Sequence, residues 1–473
     1  MNSSKSKKAS NIFFKFIFAV IALVTYAISA FLFISAIVNA IHAKGIVSTD
    51  IASWVVNSLN LAVLLFYLPM STMYLVYILL GVIPSKKYHV SIIHKCSYAH
   101  LVCARNEGVV IKSLLNSFNE LDYPSQLQTI FICVNNSTDD TLSIIQEYIK
   151  ISKVKIYIIE KPFKQNNNKG KTIDFLLNYI NQHYLNKFDR YAFWDADNVI
   201  DKKWLNHVGA FFDNNAIDCL STCRFPTNTD NIWGYLRGFV FIMESEFENV
   251  NKQNANIDVN FTGCGFVVNQ KILEGLNWKW NFHKLVEDVE ISMHLQSHGV
   301  RMGYCQNAIF YDQQPTTWSA FYTQGHRWAK GSLQLFFDKT SRNNIFHLNN
   351  TINRTDWFYR SFPNTIIFIF SIVLNIITSI LTQPLFNICI LQSIWQIDLA
   401  TSSIILFTTL VMVALSIISI YRFCKHKKSA WYKNIYYVLL GPVSLMITII
   451  LTIPAYFAKP QWKPIPRAHP TKV

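Results

Sequence analysis

Five stretches of this 473-residue chain contain no Asp, Glu, Lys or Arg: residues 16–41, 51–85, 361–397, 399–421 and 434–458. Each exceeds the roughly 20 apolar residues that cross a hydrocarbon core. They predict two spans before a polar middle and two or three after it. A cleaved signal peptide does not fit the first stretch, which is too long and is followed by a second within ten residues. Orientation follows from the flanking cations. Lys5, Lys7 and Lys8 precede the first span, and Lys86, Lys87 and Lys95 follow the second. The connection between them has only Lys44 and Asp50. The N-terminus and the middle are therefore expected in the cytosol, and Arg422, Lys425, Lys427 and Lys428 place the connection after the fourth span there too. The last stretch is ambiguous. A full crossing would put Lys459, Lys463, Arg467 and Lys472 outside, whereas a kink or re-entrant turn at Gly441-Pro442 would keep them inside.

The organisation read from this pattern is an N-terminal membrane region (1–85), a cytosolic domain ending in an interfacial helix (86–360), a C-terminal membrane region (361–458) and a basic tail (459–473). The net charge of +15 is spread along the chain and gathers at span ends, which suits membrane lipid headgroups. No motif resembles a nucleic-acid reader, so nucleic acid is excluded as a partner. The nine cysteines include no C-x-x-C pair. Cys219 and Cys223 read as one face of a strand, packing the core rather than binding zinc.

The middle alternates apolar β-rich runs with helical patterns. Strands are predicted over 98–103, 129–134, 154–159 and 190–194. Helices are predicted after Glu107 to about Glu120, from about Asp139, and over 172–184. This βαβα order implies a parallel sheet covered on both faces. Ligands of such sheets bind beyond the carboxyl ends of the strands. Asn106, Asn135 and Asp195 fall at those ends. Lys169-Gly170-Lys171-Thr172 imitates the end of a P-loop, but Gln165 stands where the pattern needs glycine and no strand leads directly into it.

Three short motifs carry chemistry. Trp194-Asp195-Ala196-Asp197 places two carboxylates at a strand end, suited to Mg2+ or Mn2+ with substrate phosphates as further ligands. Glu287-Asp288 precedes a helix read from Val289 to about His298. The acids Glu287, Asp288 and Glu290 would suit a helix N-terminus in any protein; in a site, Asp288 could take a proton from a hydroxyl. Gln324, Arg327 and Trp328 form Q-x-x-R-W on one helix face. They suit an interfacial anchor, or an arginine forked onto a diphosphate with an indole stacked on a sugar.

Together these motifs resemble the processive inverting family 2 glycosyltransferases, the group containing cellulose, chitin, hyaluronan and poly-N-acetylglucosamine synthases. The resemblance covers about residues 98–340. It implies an α/β GT-A (Rossmann-like) cytosolic domain between two sets of transmembrane helices. It also implies a nucleotide-sugar donor, UDP-N-acetylglucosamine or UDP-glucose, and a growing glycan as acceptor. Within that resemblance Asp195 and Asp197 would hold the metal and the donor diphosphate. Asp288, with Glu287, would be catalytic, and Gln324, Arg327 and Trp328 would lie near the diphosphate and the acceptor end. Asn106, Glu107, Asn135 and, in the segment Lys169-Gly170-Lys171, Lys171 would contact the nucleotide, and Gly263-Cys264-Gly265 would lie beside the acceptor. Three positions depart from the family: Asn135 replaces an aspartate, Val286 a threonine, and Asp312-Gln313-Gln314-Pro315 carries glutamine where an acid is common.

The expected protein is an integral membrane polysaccharide synthase, in the plasma membrane, with its catalytic domain in the cytosol. Regulation is expected from an accessory membrane subunit. Two alternatives stand beside it: a non-processive transferase that decorates a lipid carrier, and a catalytically silent scaffold or transport partner.

Overall fold

The computed structural model describes residues 76–77, 95–161, 168–228, 231–348, 350–362, 413–414, 416–425, 447, 451, 453–459 and 467. The five apolar stretches lie outside these residues apart from short pieces. No helix among the described residues is long and apolar enough to cross a membrane.

An eight-stranded sheet forms the centre: β1 (Tyr98–Ala104), β2 (Gln128–Val134), β3 (Lys155–Glu160), β4 (Arg190–Asp195), β5 (Val199–Ile200), β6 (Cys219–Pro226), β7 (Phe266–Asn269) and β8 (Met302–Asp312). Their order across the sheet is β3-β2-β1-β4-β7-β6-β8-β5. β1 pairs in parallel with β2 and β4, and β2 with β3. The inner strands of this parallel half, β1, β2 and β4, are buried on both faces, which is why they read as nearly continuous apolar runs. Alternate residues feed opposite layers. Val102, Ile132 and Trp194 pack into one core cluster, while Leu101, Phe131 and Phe193 pack into the other.

The sheet is mixed rather than wholly parallel. β7 runs antiparallel to β4 and β6, and β5 antiparallel to β8. The chain reverses into β7 through Gly263-Cys264-Gly265. Gly265 has φ +64°, and a Cβ there would lie 2.1 Å from the Phe310 ring, so only glycine fits. A β-bulge between Thr222 and Cys223 explains a second difference. Cys219 and Cys223, read as one strand face, are both buried but join different clusters, because the bulge re-aims the strand.

One layer on the sheet contains α1 (Gly108–Asn119), α2 (Thr141–Ile149) and α4 (Trp204–Asn214); the other contains α3 (Lys169–Tyr184) and α7 (Gln270–Gly275). A third cluster is built on α5 (Ile232–Met243), which continues through a π-helical turn, Glu244–Asn249, into α6 (Val250–Asn254). α8 (Glu287–Ser297) is followed by α9 (Trp318–Phe337), α10 (Lys339–His347) and α11 (Thr351–Ser361). Lys252, fully buried, ties α6 to α11 through Asp356 at 2.6 Å and also meets Glu248 at 3.1 Å. Ile420, Phe423, Ile447 and Leu451 complete the third cluster, so the C-terminal segment packs directly on α5 and α9.

Candidate active site

A cavity of about 400 Å3 opens beyond the carboxyl ends of β1, β2 and β4. The strands terminate there in Asn106-Glu107, Asn135 and Asp195. Asn106 adopts φ +56°, and its Oδ1 accepts the Thr138 backbone N–H at 2.8 Å, locking the loop after β1 to the loop after β2. Asn135 donates through Nδ2 to Thr172 Oγ1 at 3.0 Å, joining β2 to α3.

Of the residues singled out in the sequence, Asn106, Glu107, Asn135, Asp195, Asp197, Glu287, Asp288, Gln324, Arg327 and Trp328 all line this cavity. Lys171 does not; Lys169 takes its place. Asn168 caps α3 by accepting the Lys171 backbone N–H at 3.0 Å, so α3 begins at Lys169 rather than at Thr172. Lys169 Nζ then lies 2.6 Å from Asp195 Oδ1 and 3.7 Å from Glu287 Oε1, and donates to the Gly263 carbonyl at 2.6 Å. A Cβ on Gly170 would stand 2.0 Å from the Phe282 carbonyl oxygen, so that glycine serves close packing of α3 against the segment before α8.

Glu287 and Asp288 are the first two residues of α8, not residues ahead of it. Val286 at the N-cap has no side-chain acceptor, and the first-turn acids interact with the helix's free N–H groups instead. Glu287 is buried and Asp288 half-buried. Burial raises Glu287 to about 7 despite Lys169, and raises Asp288 as well. Burial would depress Lys169, but Asp195 and Glu287 outweigh it and hold the ammonium above its ordinary pKa. Asp195 is pulled down by Lys169 against the effect of burial.

Two residues that reading the sequence missed belong to this site. Arg224, near the end of β6, forms a forked pair with Asp312, donates to the Thr262 carbonyl at 2.7 Å and stacks over Phe241 at 3.7 Å. Its signal was a lone cation in an apolar strand. Arg467 is the other. Its guanidinium grips Glu107 at 2.8 and 3.0 Å and reaches Asp197 Oδ2 at 2.5 Å. Arg467 therefore contacts the central domain directly. Its charge belonged to the basic tail, which sequence reading used only for orientation.

Asp197 is pushed well above the ordinary carboxylate range by burial, with Asp312, Asp195 and Glu107 adding to the rise and Arg467 only partly offsetting it. Asp195 and Asp197 present only oxygen donors, which fit a hard divalent cation. No group of three or more ligating side chains occurs among the described residues, so such a cation would draw further ligands from substrate phosphates or water. On the opposite wall, Gln324 Oε1 and Arg327 Nε are buried without hydrogen-bond partners among the described residues. Burial lowers Arg327 despite the nearby Glu287. Trp328 is edge-on to Phe241 at 5.7 Å, and Arg237 stacks over it at 4.4 Å.

The fold agrees with comparisons to known proteins. The glycosyltransferase-like family 2 model matches residues 95–331, half of the chain, and the cellulose synthase model matches residues 236–453. The chain belongs to glycosyltransferase-like family 2, and its central domain is a glycosyltransferase domain. Among curated relatives it is 23% identical over 239 residues to beta-monoglucosyldiacylglycerol synthase from Synechocystis sp., covering 50% of this chain and 48% of that one. It is 25% identical over 258 residues to the probable glycosyltransferase YdaM from Bacillus subtilis, covering 52% of this chain and 60% of that one. The chain thus spans about half the length of the curated relatives it matches. Among solved structures, the mannosyltransferase PcManGT from Pyrobaculum calidifontis, in complex with GDP-Man and Mn2+, superposes with TM-score 0.51 at 13% identity. That match covers 83% of this chain and 98% of that one, and it supports the α/β GT-A fold.

Proposed function

We propose that this protein is a membrane-bound inverting glycosyltransferase that adds sugar from UDP-N-acetylglucosamine or UDP-glucose to a growing β-linked polysaccharide. The observation that supports this most is the convergence of Asp195, Asp197, Asp288 and Arg327 on one cavity at the strand ends. The nucleotide would lie over Asn106, Glu107 and Asn135, with its diphosphate toward Lys169 and Arg327. Asp288 accepts the proton of an acceptor hydroxyl, and that oxygen forms a bond to the anomeric carbon. The bond from that carbon to the diphosphate breaks on the opposite face, and the nucleoside diphosphate leaves with the electron pair. Attack opposite the leaving group converts an α-linked donor into a β-linked product. Arg327 offsets charge on the departing diphosphate. Trp328 borders the acceptor end. Mg2+ or Mn2+ held at Asp195 and Asp197 would supply further charge stabilisation, as a divalent cation does for phosphoryl oxygens. The fold neighbour PcManGT carries Mn2+ with GDP-Man, which supports this use of the acidic pair.

Because Arg467 occupies Asp197, a cation must compete with it. Arg467→Ala should therefore tighten Mn2+ binding by roughly tenfold or more, the worth of a lost charge-assisted contact. Electron paramagnetic resonance titration without donor reads this directly; weaker binding would make Arg467 an aid to the cation rather than a competitor.

The rate should also depend on pH. The base must be ionised, and burial has raised both Asp288 and Glu287, the latter to about 7. Activity is expected to be full above neutrality and to fall as pH drops through an apparent value belonging to the pair. A kcat/KM profile flat down to pH 5 would remove Asp288 from the role of base.

A second reading has one specific support: the Synechocystis relative is a beta-monoglucosyldiacylglycerol synthase, so a lipid could be the acceptor. Turnover in lipid nanodiscs with a panel of UDP-sugars and Mg2+ or Mn2+ separates the two. A high-molecular-weight polymer from one donor supports the synthase, and a single sugar on lipid supports the second reading. No turnover of any donor would overturn both.

A further inference from the structure

The acidic pair at the end of β4 is held from behind by a residue that the chemistry above does not use. Asp195 and Asn198 close a four-residue turn. The Asn198 backbone N–H donates to the Asp195 carbonyl at 3.1 Å, and the Asp195 N–H donates back to Asn198 Oδ1 at 3.0 Å. Closing the turn engages only half of the Asn198 amide. Its Nδ2 has two hydrogens, and each goes to a carboxylate: one to Asp312 Oδ1 at 3.1 Å, the other to Asp197 Oδ1 at 3.4 Å. Asn198 is fully buried and does not line the cavity, whereas Asp195, Asp197 and Asp312 all do. A residue needed only to close the turn would not direct both amide hydrogens onto acids.

These bonds fix which oxygen Asp197 shows to the cavity. Oδ1 is tied to Asn198, and Oδ2 is the atom that Arg467 reaches at 2.5 Å. Asp312 is immobilised in turn by the forked Arg224, whose Nη1 meets the Thr262 carbonyl at 2.7 Å. One residue on, the Gly263 carbonyl accepts from Lys169, which pairs with Asp195. The contacts close a ring around the acidic pair, and Asn198 joins its two ends, Asp195 and Asp312. A neutral amide suits this place, because it donates to two carboxylates at once and adds no positive charge to compete with a cation. We propose that Asn198 is a positioning residue: it turns Asp197 Oδ2 toward the cavity and thereby sets how tightly the acidic pair takes a divalent cation. This rests on the reading of Asp195 and Asp197 as the cation-holding pair.

Arg467 grips the same oxygen, so a loosened Asp197 would release it too and mask part of the loss. The test therefore takes full-length Arg467→Ala in nanodiscs as the parent and titrates Mn2+ by electron paramagnetic resonance without donor. Adding Asn198→Ala should weaken Mn2+ binding roughly 10- to 100-fold, the range for removing a group that hydrogen-bonds a metal ligand. UDP affinity measured in EDTA should stay within about twofold. If that variant also loses UDP, Asn198→Ser keeps a hydroxyl to accept the Asp195 N–H but cannot donate to two carboxylates, and should show the selective loss. Unchanged Mn2+ affinity in Asn198→Ala overturns the proposal. Parallel loss of Mn2+ and UDP binding in both variants also overturns it, because Asn198 would then only hold the fold. Failure of the parent itself to bind Mn2+ would overturn the cation-holding role of Asp195 and Asp197, and the proposal with it.

Discussion

Asp288→Asn should lower sugar transfer by roughly 10²–10⁴-fold, the span typical of general-base assistance, while UDP binding and thermal unfolding stay near wild type. The substitution preserves shape. Asp288 sits in the first turn of α8, and an asparagine oxygen can still accept the N–H groups there. It cannot take up a proton at neutral pH. The donor end of the cavity is held by other residues, Lys169 with Asp195 and Arg467 with Glu107 and Asp197, so nucleotide affinity should survive. The loss should therefore appear in kcat rather than in the nucleotide's binding constant. Donor consumption and product mass, measured side by side in nanodiscs, read both. A decrease of less than tenfold would move the base elsewhere, with Glu287 the next candidate because it is adjacent and raised to about 7. Retained membrane insertion with lost transfer would also exclude a silent scaffold.

The parallel half of the sheet was readable because its inner strands are buried on both faces. β1, β2 and β4 appear in the sequence as apolar runs, each ending at a polar cluster that the fold turns into the cavity floor. The other half was not readable. β7 has four residues, too few for a period to emerge, and its antiparallel direction depends on a glycine turn whose packing against Phe310 is a tertiary fact. The start of α8 was misplaced because Val286 lacks capping chemistry. The choice between Lys169 and Lys171 turned on one cap. Two residues on a helix differ by about 200° around its axis, so placing the cap at Asn168 sends Lys169 into the site and Lys171 out of it. Arg467 lies 360 residues from Glu107, and no local pattern could join them.

Lys169→Met carries the second large expectation, a combined loss of stability and activity. Lys169 faces Asp195 and Glu287 at once, with its ammonium held above the ordinary range by both after the cost of burial. Removing one partner of a fully buried ion pair leaves an uncompensated charge and typically costs about 3–5 kcal/mol; this pair is only partly buried, so the loss should fall below that range. Part of that cost would be relieved by protonation of Glu287, which burial already favours, so the destabilisation should be smaller at pH 6 than at pH 8. The double variant Lys169→Met/Asp195→Asn removes the nearer of the two stranded charges. It should recover much of the stability without recovering transfer, because the acidic pair and the cation facing it have both been altered. Unfolding by denaturant across this four-member cycle measures the coupling. Additive effects would show that Lys169 and Asp195 do not act together. Stability restored along with activity would mean that the lysine only holds the fold and takes no part in binding the donor.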